Sequence, residues 1–323
     1  MVALVVDLTQ VRLSTFPGAP ISLSLSKRAA LYWEFARPFT LVAPALGMMS
    51  GGVTAFGAHP HETFAIRHVV HIALGTLMAG VLNAASNGLN QIYDLTNDRV
   101  NKPGRPIPSG RMSIAEAAWF TWITFGIALL LAALVNWQCF ALALAATLFT
   151  WAYSAPPLRT KREGIWANIT IAIPRGVLLK VAGWSTVKSI FGVEPWYIGS
   201  IFGLFLLGAA TTKDYSDIEG DRADGCRTLP IVYGVTKSAW MISPSFVFPF
   251  LLLPLGVSLG ILTGNPLFLT LLGAGLALWG SYVCWLILRR PEDLARTENH
   301  PSWTHMYWMM FITQIGFMVA YLL

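Results

Sequence analysis

The chain has 323 residues, of which 55% are hydrophobic and only 12% charged, with a formal net charge of +6. Together with a mean hydropathy of +0.58, this excludes an ordinary soluble domain and points to an integral membrane protein. The basic excess follows a membrane-topology pattern, described below, and gives no reason to invoke nucleic acid.

The N-terminus carries a short apolar run, Ala3 to Val6, stopped by Asp7. That is far shorter than the apolar core of a secretory signal. Residues 1–37 read as a cytoplasmic N-terminal segment. Within it, Ser24 to Pro38 mixes Lys27, Arg28 and Arg37 with Leu31, Tyr32, Trp33 and Phe35, a pattern suited to an amphipathic helix lying in the membrane interface. Residues 38–323 then read as one transmembrane domain. Apolar stretches long enough to span a bilayer fall at roughly 38–58, 66–89, 113–135, 137–153, 165–186, 195–213, 238–262, 266–288 and 303–323. The expected fold is therefore an all-α integral membrane protein of about nine transmembrane helices bundled around a central cavity.

Lys and Arg alternate between the loops. One set carries Arg12, Lys27, Arg28 and Arg37, then Arg99, Lys102, Arg105 and Arg111, then Arg159, Lys161 and Arg162. It continues with Lys213, Arg222, Arg227 and Lys237, and ends with Arg289, Arg290 and Arg296. The intervening loops hold Arg67, Lys188 or no basic residue. Under the positive-inside rule the N-terminus is cytoplasmic and the C-terminus lies on the opposite side. Cys139, Cys226 and Cys284 are isolated, without metal-site or disulfide spacing. His59 and His61 flank Pro60 in a short outer loop and read as loop polarity.

Two acidic clusters close long apolar stretches on the basic side: Asn90 to Arg99, containing Asp94 and Asp98, and Lys213 to Arg222, containing Asp214, Asp217 and Asp221. Within each, two aspartates four residues apart share one face of a helix. Alone they would repel each other; a divalent cation removes the repulsion, and Mg²⁺ prefers hard carboxylate oxygens with room for phosphate oxygens. Each Asp-x3-Asp-Arg is followed by an Arg and a Pro, as Arg105-Pro106-Ile107-Pro108 and as Arg227-Thr228-Leu229-Pro230. This reads as a duplicated unit whose halves address one cavity. A third polar loop, 154–164, carries Pro156-Pro157, Arg159, Lys161 and Arg162 after Tyr153. Carboxylates that hold Mg²⁺, mixed with Arg and Lys that contact phosphate oxygens, suit a polyphosphate substrate. Inside span 165–186, Lys180 is expected to snorkel to the outer interface. Arg175 is either a helix-bridging residue or a substrate contact.

At Asn90-x3-Asp94-x3-Asp98, Arg105-Pro106-Ile107-Pro108-Ser109-Gly110, Tyr153-Ser154-x-Pro156-Pro157-x-Arg159-x-Lys161 and Lys213-Asp214-x2-Asp217-x3-Asp221-Arg222, the chain resembles the UbiA superfamily of intramembrane prenyltransferases. The resemblance runs from about Arg37 to the end. It implies Mg²⁺-dependent transfer of an isoprenoid chain from a prenyl diphosphate to a small-molecule acceptor within the bilayer. By the same resemblance Asp94, Asp98, Asp217 and Asp221 would hold Mg²⁺ and diphosphate, with Asn90, Arg105, Tyr153, Lys161, Lys213 and Arg222 assisting. Asp214 would act as a base or a supporting partner, and Arg175, if it faces the cavity, favours an anionic acceptor. The second motif looks more like the branch acting on chlorophyllide, homogentisate or geranylgeranylglyceryl phosphate than like enzymes acting on 4-hydroxybenzoate. The first carries Leu95-Thr96-Asn97 where chlorophyll synthases place Arg-Glu, which argues against chlorophyllide. Two alternatives stay open: a membrane terpene cyclase using the prenyl diphosphate alone, and a cation-coupled transporter.

Overall fold

The computed structural model describes residues 24–297 and 300–323, and the expectations for residues 1–23 lie outside it. Among the described residues the chain is all helix. The short helix α1 (Leu25–Ala36) precedes a 3₁₀ turn (Pro38–Leu41) that leads into α2 (Val42–Gly57). The long α3 (Ile66–Tyr93) is followed at once by the short α4 (Leu95–Asn101), then by α5 (Ile114–Val135) and α6 (Trp137–Ser154). Span 165–185 consists of α7 (Ile165–Ala172), a π-helical turn (Ile173–Leu178) and α8 (Leu179–Ser185). Next come α9 (Val193–Ala209), α10 (Thr211–Asp214), α11 (Ile218–Ala223) and α12 (Leu229–Tyr233). The rest is α13 (Val235–Ile242), α14 (Phe248–Ser258), α15 (Pro266–Leu288), α16 (Asp293–Arg296) and α17 (Pro301–Leu322).

Each of the nine expected spans coincides with a helical segment of the described residues. Seven of these are long and apolar enough to cross a membrane by length and composition. The other two are α6, whose 18 residues are diluted by Gln138, Thr147 and Thr150, and α17, whose apolar run is interrupted by His305 and Gln314.

Small residues let the bundle close. A Cβ on Gly51 would come within 2.8 Å of the Gly183 Cα and of the Lys180 carbonyl, so α2 and α8 meet backbone to backbone, the usual way helices pack in lipid. The same approach corrects the expectation for Lys180. Its side chain does not snorkel: it is 3% exposed, donates to Ser50 Oγ at 2.9 Å and lies 4.2 Å over the Phe202 ring. A cation that finds a hydroxyl and an aromatic face within reach has no need of the interface.

At the other end, α1 is pinned across the mouth of the bundle. Its last carbonyls accept from α3, with Gln91 Nε2 donating to Phe35 O at 2.8 Å and Asn87 Nδ2 to Ala36 O at 2.9 Å. Phe35 is fully buried, and Tyr32 OH donates to Glu116 at 2.7 Å. Arg37 follows in a left-handed turn (φ 56°).

Candidate active site

The two acidic clusters are built alike. α3 ends at Tyr93, and Asp94 (φ −93°, ψ 15°) caps that end while opening α4. Asp217 (φ −104°, ψ 8°) opens α11 in the same way. The helix therefore breaks at Asp94 in the first motif and over Tyr215 to Asp217 in the second, rather than running on through each pair as the spacing predicts. The i to i+4 turn survives nonetheless, through Asp98 N to Asp94 O at 2.8 Å and Asp221 N to Asp217 O at 2.9 Å. In both motifs the second aspartate is almost fully buried, Asp98 at 2% and Asp221 at 3% exposure.

The motifs pack on each other through α4 and α11. A Cβ on Gly220 would fall 2.3 Å from Asn101 Nδ2, so any larger residue there would displace the asparagines that join the two motifs. Asn97 Nδ2 donates to Asp221 Oδ1 at 2.6 Å, and Asn101 Nδ2 to Asp217 O at 3.3 Å. Lys102, just past α4, holds Asp217 through both carboxylate oxygens at 3.1 and 2.9 Å. The residues that bind the second motif thus come from the first.

Carboxylates buried at the ends of apolar helices must be compensated. Arg105 Nη1 bridges both oxygens of Asp98 at 2.6 and 2.7 Å. Lys161, 8% exposed, donates to Asp94 Oδ2 at 2.7 Å and stands 3.7 Å from Asp221 Oδ1. Burial works against the Lys161 ammonium, but Asp94, Tyr153 and Asp221 outweigh it and hold its pKa above the ordinary lysine range. Burial pushes Asp98 up against the pull of Arg105. It pushes Asp221 up to about 6, with Lys161 opposing. Each aspartate is costly to bury as an anion unless a cation stays beside it.

The remaining expected residues fall into three positions. Asn90 lies one turn before Asp94 on α3, its carbonyl accepting from the Asp94 amide at 2.8 Å. Tyr153 lies within the field of Lys161, Asp214, Asp94 and Arg175, and Asp214 lies in the field of Asp221, Lys161 and Asp217. Lys213 points elsewhere, its ammonium 5.0 Å above the Trp303 ring of α17. Arg222 is exposed, as is Arg99 in the first motif, so neither arginine of the repeated Asp-Arg pairs turns toward the carboxylates. Arg175 sits in the π-helical turn, deep among protein atoms yet accessible; it lines the interior, with Tyr153 and Tyr307 in its field.

The sequence pattern does not single out Asn97, Asn101 or Lys102 for the site, and it assigns Arg37 to the interfacial segment and the basic side of the membrane. Arg37 lies in the field of Arg105, Arg175 and Asp98; burial and the repulsion of the two arginines push its pKa down to about 10. Asp224 lies outside the sequence motifs, and Arg159, which belongs to the third polar loop, has its partners Asp224 and the Tyr93 carbonyl fixed only by the fold. Asp224 follows Asp221 by three residues, a spacing that would have placed it on the same helical face.

The donor set can be tested against Mg²⁺. Among the described residues no three His, Cys, Asp or Glu side chains close around one point. Mg²⁺ does not require that, since it commonly takes one or two carboxylates and completes its octahedron with water and substrate phosphates. Asp94 Oδ1 is buried without a hydrogen-bond partner, an open hard donor in the middle of the cluster. The residues fit the ion.

A bundle of membrane-spanning helices with two facing acidic motifs at one end defines the class, a multi-pass integral membrane protein with a charged site at the end of apolar helices. The profile of the UbiA prenyltransferase family matches residues 45–315. The chain belongs to this family. It is 37% identical over 218 residues to the chloroplastic homogentisate solanesyltransferase of Arabidopsis thaliana, covering 65% of this chain and 56% of the plant protein. It is 28% identical over 310 residues to the digeranylgeranylglyceryl phosphate synthase of Thermococcus gammatolerans, covering 90% and 98%. The chain thus spans little more than half the length of the plant relative and nearly all of the archaeal one. In fold, it superimposes on a UbiA homolog from Archaeoglobus fulgidus, solved bound to GPP and Mg²⁺, with a TM-score of 0.70 at 19% identity, covering 91% of this chain and all of the other.

Proposed function

We propose that the protein transfers an isoprenoid chain from a prenyl diphosphate to an aromatic, chlorin-like or other polar-headed acceptor inside the membrane, releasing diphosphate. The observation that carries this reading is the pairing of α4 with α11, which puts four aspartates and the cations Lys161, Lys102 and Arg105 in one cluster at the end of an apolar bundle. The relatives that act on homogentisate and on geranylgeranylglyceryl phosphate support the reaction class. Alternating Lys and Arg support a cytoplasmic site, with α1 in the interface beside it.

In this reading Asp94, Asp98, Asp217 and Asp221 hold Mg²⁺. Bound there, Mg²⁺ would neutralise the diphosphate oxygens and the charge that develops on them as the allylic C–O bond breaks. Arg105, Lys161 and Lys102 trade part of their carboxylate contacts for phosphate oxygens, with Asn90 and Lys213 at the margin. Tyr153 separates the diphosphate end from the interior and keeps water from the allylic carbon, where it would yield a prenyl alcohol. Asp214 is placed to take the proton lost by the acceptor, and Arg175 and Arg37 face its polar head.

The test is incubation of the purified protein with Mg²⁺ and geranylgeranyl diphosphate, with and without homogentisate, chlorophyllide or geranylgeranylglyceryl phosphate, following diphosphate release and products by mass spectrometry. Acceptor-dependent, EDTA-sensitive release with a prenylated product is expected. Release without any acceptor would replace transfer by cyclisation or hydrolysis. No release across several prenyl chain lengths would overturn the enzymatic reading.

A further inference from the structure

Arg159 stops short of hydrogen-bonding the Asp94 carboxylate in front of it. Its Nη2 lies 3.9 Å from Asp94 Oδ1, beyond hydrogen-bond range, although Asp94 Oδ1 is buried and has no other partner. The same Nη2 donates instead to Asp224 Oδ2 at 2.7 Å and to the Tyr93 carbonyl at 2.7 Å. Asp224 is 6% exposed and also accepts from Arg162 Nη2 at 3.2 Å and from Cys226 Sγ at 3.6 Å. Lys161, from the same loop, already satisfies the other oxygen of Asp94 at 2.7 Å.

The arrangement is one of competing acceptors. An arginine beside a buried, half-satisfied carboxylate gains a charge-assisted hydrogen bond by closing on it. Here a second buried carboxylate takes the guanidinium first. We propose that Asp224 is a positioning residue that holds Arg159 off Asp94 and so keeps Asp94 Oδ1 open as a Mg²⁺ ligand. The inference rests on the Mg²⁺ reading above. It assigns to Asp224, which lies outside both Asp-x3-Asp pairs, a role in metal affinity without direct metal contact. Once Asp224 loses its charge, the guanidinium needs to move only about 1 Å to reach hydrogen-bond distance of Asp94 Oδ1. There it would compete with the ion.

The experiment is calorimetric titration of Mg²⁺ into the detergent-solubilised full chain, with the Mg²⁺-dependent rise in melting temperature as a second readout. Asp224→Asn should weaken Mg²⁺ binding about tenfold or more. It should raise the Mg²⁺ concentration needed for half-maximal turnover by a similar factor, while turnover at saturating Mg²⁺ stays within about threefold. The double variant Asp224→Asn/Arg159→Gln should recover affinity to within about threefold of wild type. A merely structural defect would not produce that reversal. Should the single variant not survive purification, Asp224→Ser with and without Arg159→Gln gives the same comparison. Unchanged Mg²⁺ affinity in Asp224→Asn, or no recovery in the double variant, overturns the inference. Absence of Mg²⁺ binding in the wild type would overturn the metal reading itself.

Discussion

The two acidic motifs are near copies in backbone and opposites in company. Each begins at a helix break on its first aspartate and buries its second; each turns its following arginine, Arg99 or Arg222, outward. Yet Asp98 is held by Arg105 of its own loop, whereas Asp217 and Asp221 depend on Lys102 and Asn97 of the other motif. Only Lys161, from the third polar loop, reaches an aspartate of each. A duplicated sequence therefore supplies duplicated local geometry, and the partners that make it a single charged cluster are unequal. Asp98 is compensated from its own loop and Asp94 from the third one; the second motif leans on the first and on the same third loop.

The most severe way to break this comparison is to remove one carboxylate from each motif. Asp94→Asn and Asp217→Asn should each lower turnover by a factor on the order of 10³ or more, the scale of a lost charge-stabilising group in the transition state, while both variants stay folded in detergent. Near-normal turnover in either would mean that the motifs do not share one diphosphate. Next comes Lys161→Met, which strips the cation shared by Asp94 and Asp221. Removing one member of a buried pair costs about 3 kcal/mol or more, so the melting temperature should drop clearly, and added Mg²⁺ should restore part of it by replacing the missing charge. A melting curve indifferent to both changes would show that the acids are compensated elsewhere.

Gly220→Ala probes the contact between motifs without touching a charge. Its Cβ would overlap Asn101, and forcing extra volume into a packed contact costs roughly 1–3 kcal/mol. Turnover should fall about tenfold from parting α4 and α11, measured against a melting shift of a few degrees. The smallest effect is expected from Arg222→Gln and Arg99→Gln. Both side chains are exposed, so each variant should keep kcat and KM within about threefold. A large rise in KM for Arg222→Gln alone would restore it to the diphosphate contacts expected from the sequence and make the motifs functionally unequal there.

Hydropathy alone located nine helical stretches, because a chain in lipid must satisfy its backbone polar groups internally and does so as helices of bilayer length. Spacing alone located the acids, since carboxylates four apart at the end of an apolar helix have no cheap structural use. What the linear pattern could not carry was the identity of partners. Lys102 and Asn97 are ordinary loop polarity until α4 packs against α11, at a crossing where Gly220 leaves room for Asn101. Lys180 reads as a snorkelling cation until the close approach of α2 and α8 brings Ser50 within 2.9 Å. Local sequence determines which segments span the membrane and where their helices break, because those are contests between a segment and its solvent. Which charge faces which is decided by distances across the bundle, and Coulomb energy in a low-dielectric interior depends steeply on those distances; the fold alone sets them.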